Sequence, residues 1–181
     1  MEGLPEVVVC RLSHRPGRDD RMTTHVGLTA RALGADRLVL PDNAGEAHET
    51  VTDITDRFGG PFDVEQVESP RSVVRSWQGG IVHLTMYGER IQDVEDEIRT
   101  AHREAGDALL VVVGSEKVPF EIYEAADWNV AVTNQPHSEV AGLAVFLDRL
   151  FEGRELDREW RDAERQVVPM ETGKCVEPAE D

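Results

Sequence analysis

The sequence predicts an α/β fold with a mostly parallel sheet and helices on both faces. Short apolar runs alternate with amphipathic segments along the whole chain, which is typical of this fold class. Runs such as residues 109–113 are continuously apolar, as expected for strands that are covered on both faces. A length of 181 residues lies within the range of one domain with its own hydrophobic core.

The apolar runs are the predicted strands. In chain order they cover residues 7–12, 37–40, 62–67, 81–84, 109–113 and 129–132. Turn-forming residues lie between them, for example at 42–45 and 59–61.

The segments between these strands carry the 3.6-residue spacing of helices. They cover residues 24–33, 46–58, 71–77, 91–104, 119–126 and 137–151. The last has the clearest pattern, because Val140, Leu143, Leu147 and Leu150 fall on one helical face.

The C-terminal part of the sequence is charged. Residues 155–165 are also predicted to be helical, and the acidic segment 171–181 is predicted to be a flexible tail. No linker or internal repeat divides the chain, so residues 1–170 are expected to form a single domain.

Charge sets this sequence apart. The formal net charge is −17, and among 19 basic residues only Lys117 and Lys174 are lysines. Strong self-repulsion between acidic groups is screened at high salt, where the Debye length is about 3 Å at 1 M. An acid-rich, lysine-poor chain therefore indicates a salt-loving host, although an ordinary acidic cytosolic protein could have the same composition.

The sequence has no feature of a secreted or membrane protein. Its start lacks a cationic segment followed by a long apolar stretch, and no apolar run is long enough to span a bilayer. Cys10 and Cys175 lie at opposite ends and give neither a disulfide framework nor metal-ligand spacing. We expect a cytoplasmic protein that binds neither a membrane nor a metal.

Ligands of parallel α/β sheets bind beyond the carboxyl ends of the strands. The loops predicted at that edge cover residues 13–23, 85–90, 114–119 and 133–138. The glycine-rich dinucleotide and triphosphate motifs are absent from the sequence, which disfavours those standard sites.

The first of these loops concentrates positive charge. Residues 11–25 contain Arg11, His14, Arg15, Arg18, Arg21 and His25. Because a guanidinium matches phosphate oxygens bidentately, this cluster indicates a phosphate-bearing ligand. The alternative is a solvated turn whose arginines pair with Asp19 and Asp20.

Four segments together resemble one known family. They are residues 11–35, with Arg15-Pro-Gly-Arg-Asp-Asp-Arg21; 81–88, with His83-Leu-Thr-Met-Tyr-Gly88; 113–119, with Gly114-Ser-Glu-Lys117; and 129–150, with Asn134-Gln-Pro-His-Ser-Glu139. In this order they are similar to the archaeal tRNA methyltransferases that modify the ribose 2′-hydroxyl of cytidine 56 in the TΨC loop. That family belongs to the SPOUT superfamily, and the resemblance extends from Val7 to about Pro169.

The resemblance implies a SPOUT-type deep trefoil knot in the C-terminal part, a homodimer, tRNA as substrate and S-adenosylmethionine as methyl donor. It also implies the residues that bind this cofactor: Leu84, Gly114, Ser115, Glu116, Lys117, Val118, Val132, Thr133, Asn134, Gln135, Pro136, His137, Ser138 and Glu139. From the residues alone, core packing would explain Leu84, helix capping would explain Ser138, and His83 reads as a core or interface histidine.

Methyl transfer to a ribose hydroxyl requires in-line positioning, loss of the hydroxyl proton and restraint of the neighbouring phosphates. Arg15, Arg18 and Arg21 are the predicted RNA phosphate contacts. For the central catalytic role we rank Arg21 first, then Arg18, then His25. An arginine would stabilise the developing alkoxide, since guanidinium hardly deprotonates, whereas His25 could act as a base.

Two other functions are compatible with the arginine cluster. One is a non-catalytic RNA- or nucleotide-binding module that uses the loop from Arg15 to Arg21. The other is a phosphohydrolase with His14 or His25 as its acid or base, although no nucleophile or metal carboxylates show convincing spacing near the loop.

Overall fold

The computed structural model describes residues 3–114 and 117–179, and its centre is a parallel sheet. The strands are β1 (Val7–Arg11), β2 (Arg37–Pro41), β3 (Asp63–Val67), β4 (Ile81–Arg90), β5 (Leu109–Val113) and β6 (Trp128–Ala131). Their order across the sheet is β3-β2-β1-β5-β4-β6, and all neighbours are parallel. The predicted fold class is confirmed.

Helices cover both faces of this sheet. They are α1 (Asp20–Ala32), α2 (Gly45–Phe58), α3 (Pro70–Ser76), α4 (Ile91–Ala105), α5 (Phe120–Ala125) and α6 (Glu139–Phe151). Buried side chains of α1, α2, α4 and α6 form the core on one face, and those of α3 and α5 form a smaller core on the other. No helix in the described ranges is both long and apolar enough to cross a membrane.

Strand β1 shows why these apolar runs become central strands. All of its residues are buried, and successive side chains point to opposite faces. Val7 and Val9 join the larger core, whereas Val8 and Cys10 join the smaller one. Each of these four side chains therefore removes apolar area from water on one face or the other, which favours a continuous apolar sequence.

Residues 85–90, predicted as a ligand-binding loop, instead belong to β4. The strand continues through a bulge between Leu84 and Glu89 and then pairs again with β6. Gly88 permits this close pairing, because a Cβ atom there would lie 2.2 Å from the backbone oxygen of Asn129. The prediction of a loop was wrong because the bulge interrupts the apolar strand pattern without ending the strand.

The C-terminal segment differs most from its prediction. Residues 155–165 do not form the predicted α-helix: a short 3₁₀ helix covers Arg154–Asp157, and the chain then becomes irregular. Trp160 in that stretch stacks under the guanidinium of Arg31, whose carbon lies 4.4 Å from the ring centroid, so tertiary contacts override helix propensity.

The acidic segment predicted as a tail contains a strand. Strand β8 (Cys175–Pro178) pairs antiparallel with β7 (Arg165–Val168) as a small hairpin separate from the main sheet. The two strands are mostly exposed, and their short, charged sequences gave no strand signal.

Candidate functional site

A cleft of about 620 Å³ lies at the carboxyl edge of the sheet. The bulged part of β4, the end of β5, the following loop, α5 and the first turn of α6 surround it. Its described lining residues are His83, Leu84, Thr85, Met86, Tyr87, Val113, Gly114, Lys117, Val118, Tyr123, Pro136, His137, Glu139 and Gly142. A concave site of this size, mostly apolar with a few polar groups, has the character of a small-molecule pocket.

Half of the residues predicted to bind the cofactor line this cleft: Leu84, Gly114, Lys117, Val118, Pro136, His137 and Glu139. Ser115 and Glu116 lie outside the described residues. The structure thus brings together residues up to 55 positions apart along the chain, Leu84 and Glu139.

The other predicted cofactor residues are in the segment that leads into α6 but are not among the lining residues. They are Val132, Thr133, Asn134, Gln135 and Ser138. Asn134 supports the cleft from outside, because its Nδ2 donates to the backbone oxygens of Met86 at 2.8 Å and Gly88 at 3.1 Å. These bonds tie the segment to the bulge of β4 and so shape one wall of the cleft.

The first turn of α6 carries charge into the cleft. Ser138 is the N-cap residue, but its side chain makes no capping hydrogen bond, contrary to the capping interpretation of the sequence. Glu139 follows, and it forms an ion pair with Arg11 at the end of β1. A carboxylate at a helix N-terminus is also favoured by the helix dipole.

Arg11 is separate from the rest of the arginine cluster. Its side chain is fully buried, and only Nη1 has a partner, the carboxylate of Glu139; Nε and Nη2 have none among the described residues. The sequence places Arg11 in the same cluster as the exposed loop arginines. Arg11 is instead the last residue of β1, and its side chain is buried. Removing Glu139 would leave this buried charge uncompensated.

A polar network at the back of the cleft was missed as part of the site. His83 of β4 is fully buried, and its Nδ1 lies 2.8 Å from Oδ1 of Asn129 in β6. Tyr123 packs edge-on against its ring with centroids 4.6 Å apart, and the Tyr123 hydroxyl lies 3.3 Å from Oγ1 of Thr85. Because these residues are far apart in sequence, only the signal of a histidine within an apolar strand was available.

The loop before α1 is partly built by its own ion pairs. Arg15 Nε and Nη2 bind both oxygens of Asp19 at 2.9 and 2.8 Å, and this guanidinium lowers the pKa of the carboxyl to about 2. His14 is buried, with Nδ1 2.9 Å from Thr23 Oγ1 and Nε2 3.2 Å from Asp20 Oδ1. Arg15 and His14 therefore fit the alternative interpretation, in which basic residues of the turn pair with Asp19 and Asp20.

Arg18, Arg21 and His25 remain available for a ligand. All three are exposed, and Arg21 and His25 lie one turn apart on the same face of α1. None of the three forms a side-chain ion pair within residues 3–114 and 117–179. Neither they nor Arg15 are lining residues of the 620 Å³ cleft.

Across the described ranges, no three His, Cys, Asp or Glu side chains converge as a metal site would require.

Comparison with known proteins decides the family. Residues 58–177 match the family model described as tRNA ribose 2′-O-methyltransferase, aTrm56. The chain belongs to this family. The match covers more than half of the sequence, including the cleft and the C-terminal hairpin.

Relatives extend the similarity over the whole chain. The tRNA (cytidine(56)-2′-O)-methyltransferase of Natronomonas pharaonis is 68% identical over 100% of this chain and 99% of its own. The proteins of the same name from Halobacterium salinarum and Pyrococcus abyssi are 67% and 52% identical, and the matches cover 93% and 86% of their lengths. The relatives from Natronomonas pharaonis and Halobacterium salinarum agree with the archaeal, salt-loving source predicted from the resemblance and the composition.

Solved structures support the fold. The A. aeolicus TrmH/SpoU tRNA modifying enzyme matches with a TM-score of 0.56 and 18% identity over 86% of this chain and 78% of its own. The SpoU methyltransferase AviRb from Streptomyces viridochromogenes, solved with AdoMet, matches with a TM-score of 0.55 and 14% identity over 83% of this chain and 58% of its own. At these identities the likeness concerns the fold alone.

Proposed function

We propose that this protein transfers the methyl group of S-adenosylmethionine to the ribose 2′-hydroxyl of cytidine 56 in the TΨC loop of tRNA. The observation that carries this is full-length similarity to tRNA (cytidine(56)-2′-O)-methyltransferases, at up to 68% identity. The cleft supplies the physical counterpart, since segments implied by the resemblance meet there.

The side chains of the cleft fit S-adenosylmethionine. Leu84, Val113 and Val118 offer apolar surface for an adenine ring. Glu139 and Lys117 place opposite charges in the same cleft, which suits a ligand that carries an ammonium, a sulfonium and a carboxylate. When bound, this cofactor supplies an electrophilic methyl group.

The exposed residues of the first loop and α1 are proposed to handle the RNA. Arg18 and Arg21 hold the phosphates next to the target ribose, and Arg21 stabilises the oxyanion as the 2′-hydroxyl loses its proton. His25, one turn along α1 from Arg21, is the candidate acceptor of that proton. Arg15 assists chiefly by holding Asp19 and the shape of the loop.

A homodimer would reconcile this assignment with the structure. Within one chain, the side chains of Arg18, Arg21 and His25 do not line the cleft. A second copy could bring its own loop to the cleft, so that each active site uses residues of both subunits. We propose this shared site, with residues 1–170 as one domain.

Two further elements of the proposal come with the family. The C-terminal part is proposed to form a deep trefoil knot around the cofactor site, which agrees with the position of β4 between β5 and β6. A tRNA substrate also makes the cytoplasm the proposed place of action.

Calorimetric titration of S-adenosylmethionine tests the cofactor assignment. In about 2 M KCl, where surface repulsion is screened, we expect saturable binding that is abolished in Gly114→Leu, because the new side chain would enter the cleft. A labelled methyl group should then appear in unmodified tRNA transcript as 2′-O-methylcytidine. Folded protein that binds no S-adenosylmethionine would overturn the assignment and favour an RNA-binding module.

A further inference from the structure

His83, a lining residue of the cleft, has an unused hydrogen-bond acceptor. The residue is fully buried and lines the cleft, yet its Nε2 has no partner among the described residues. A buried polar atom without a partner loses its hydration on folding, so such atoms are rare unless a ligand or water meets them. The hydrogen bonds of Asn129 determine whether this nitrogen donates or accepts.

Asn129 fixes which nitrogen of His83 carries the proton. The Nδ2 group of Asn129 donates to the backbone oxygen of Tyr123 at 2.9 Å, which leaves Oδ1 facing His83. That oxygen can only accept, so Nδ1 of His83 must be the donor across the 2.8 Å contact. In the neutral ring, Nε2 therefore carries a lone pair and accepts.

The surroundings keep the ring neutral and fixed. Burial lowers the pKa of His83 below its ordinary value, although the bond to Asn129 partly opposes this. The edge-on contact with Tyr123, at an interplanar angle of 88°, packs one side of the ring. The site is thus a rigid, neutral acceptor and not a titrating base.

We infer that Nε2 of His83 accepts a hydrogen bond from the exocyclic amino group of the adenine and makes the cleft selective for adenosine over inosine cofactors. This inference rests on the proposed function.

The burial and charge of the site indicate which group of the cofactor donates a hydrogen bond to Nε2 of His83. A cationic ammonium held against a neutral, fully buried imidazole would bear a large desolvation cost, and Glu139, which is partly exposed, offers a better partner for it. Val118 and Tyr123 also line the cleft, and Val118 packs on the same core face as Ile81, two residues before His83. A largely apolar wall that includes a neutral acceptor suits the edge of an adenine ring.

The test compares two ligands whose bases differ at C6, where exchange of the amino group for an oxygen also places a hydrogen on N1. S-adenosylhomocysteine carries the amino group, whereas S-inosylhomocysteine carries an oxygen there that cannot donate. In about 2 M KCl, the unaltered protein should bind the adenosyl compound about 10–100-fold more tightly, as expected when a buried acceptor is left unmet. His83→Leu should bind the two with nearly equal affinity.

A matched pair of variants separates ligand recognition from a structural role. In His83→Gln, the side-chain oxygen can reach the place of Nε2, so most of the preference should remain. In His83→Asn, the shorter amide can replace only the Nδ1 side toward Asn129, so the preference should be lost. Thermal unfolding of each variant controls for folding.

The outcomes distinguish this inference from the proposed function. If the unaltered protein binds neither ligand, the cofactor assignment itself fails. If the unaltered protein binds both ligands with equal affinity, His83 does not recognise the base and water satisfies its Nε2. The same conclusion follows if His83→Leu keeps the ratio of the two affinities found in the unaltered protein. Restoration of the preference by His83→Asn and not by His83→Gln would also overturn the inference and leave a packing role.

Discussion

Gly142 of α6 offers a test in which cofactor affinity and stability should move in opposite directions. It lines the cleft one turn after Ser138, and its backbone N–H donates to the Ser138 oxygen at 3.0 Å. A Cβ atom at this position would lie 2.9 Å from Cε1 of His137. Since carbon atoms pack best at about 3.5–4 Å, Gly142→Ala must displace the His137 ring.

The magnitudes follow from the exposure of His137. This side chain is exposed, and its bond from Nδ1 to the backbone oxygen of Ser138, at 3.0 Å, is open to water, so the ring can swing away at little cost to folding. Alanine in place of glycine inside a helix gains up to about 1 kcal/mol, which for a chain of this size raises the melting temperature by about 2–4 °C. The added methyl group and the displaced ring both disturb the cleft, and a loss of about 1–2 kcal/mol corresponds to about 5–30-fold weaker S-adenosylmethionine binding.

Calorimetry and thermal unfolding of Gly142→Ala measure both quantities in about 2 M KCl. Val145→Ala is the matched control, because Val145 is exposed on the same helix and is not a lining residue of the cleft. Its affinity should equal that of the unaltered protein. A Gly142→Ala protein that folds well and binds S-adenosylmethionine with unchanged affinity would refute the placement of the cofactor against α6.

Other predictions concern the loop, the bulge and the surface charge. Arg21→Ala should lower kcat about 100-fold and leave the S-adenosylmethionine Kd within about twofold, because Arg21 is exposed and away from the cleft; an unchanged kcat would exclude its catalytic role. Asp19→Asn should lower the urea midpoint at neutral pH. The Arg15 guanidinium depresses the Asp19 pKa from 3.8 to about 2, so the stabilisation is present above pH 4 and is lost as the pH falls through 2. A midpoint difference that persists at pH 2 would contradict this cause. Gly88→Ala should destabilise the fold by about 1–3 kcal/mol, because its Cβ would lie 2.2 Å from the Asn129 oxygen; unchanged thermal stability would show that the bulge is looser than described. Methyl transfer should persist above about 1 M KCl, and its loss there would contradict the salt-loving interpretation of the −17 charge.

Local sequence patterns predicted the sheet well because its central strands are buried on both faces. β1 and β5 are wholly buried, so burial and sequence pattern agree residue by residue. The second half of β4 was missed, since Thr85–Arg90 is only partly buried and is held by pairing with β6. The hairpin of β7 and β8 was missed for a similar reason: few of its side chains enter a core.

For the site, the sequence located segments better than individual roles. The resemblance placed Leu84, Gly114 and Glu139 together, and all three line the cleft. Arg11 was grouped with the exposed arginines, because nothing local distinguishes a buried guanidinium that pairs with a residue more than a hundred positions away. The His83 network is equally non-local, since its partner in β6 is 46 positions along the chain.

Methylation of the 2′-hydroxyl of cytidine 56 is tested most directly with two tRNAs that differ by one oxygen atom. One carries cytidine at position 56 and the other carries 2′-deoxycytidine there, and both are incubated with methyl-labelled S-adenosylmethionine in about 2 M KCl. We expect labelling of the first transcript and none of the second. Equal labelling of both transcripts, or none of either by protein that binds the cofactor, would contradict it.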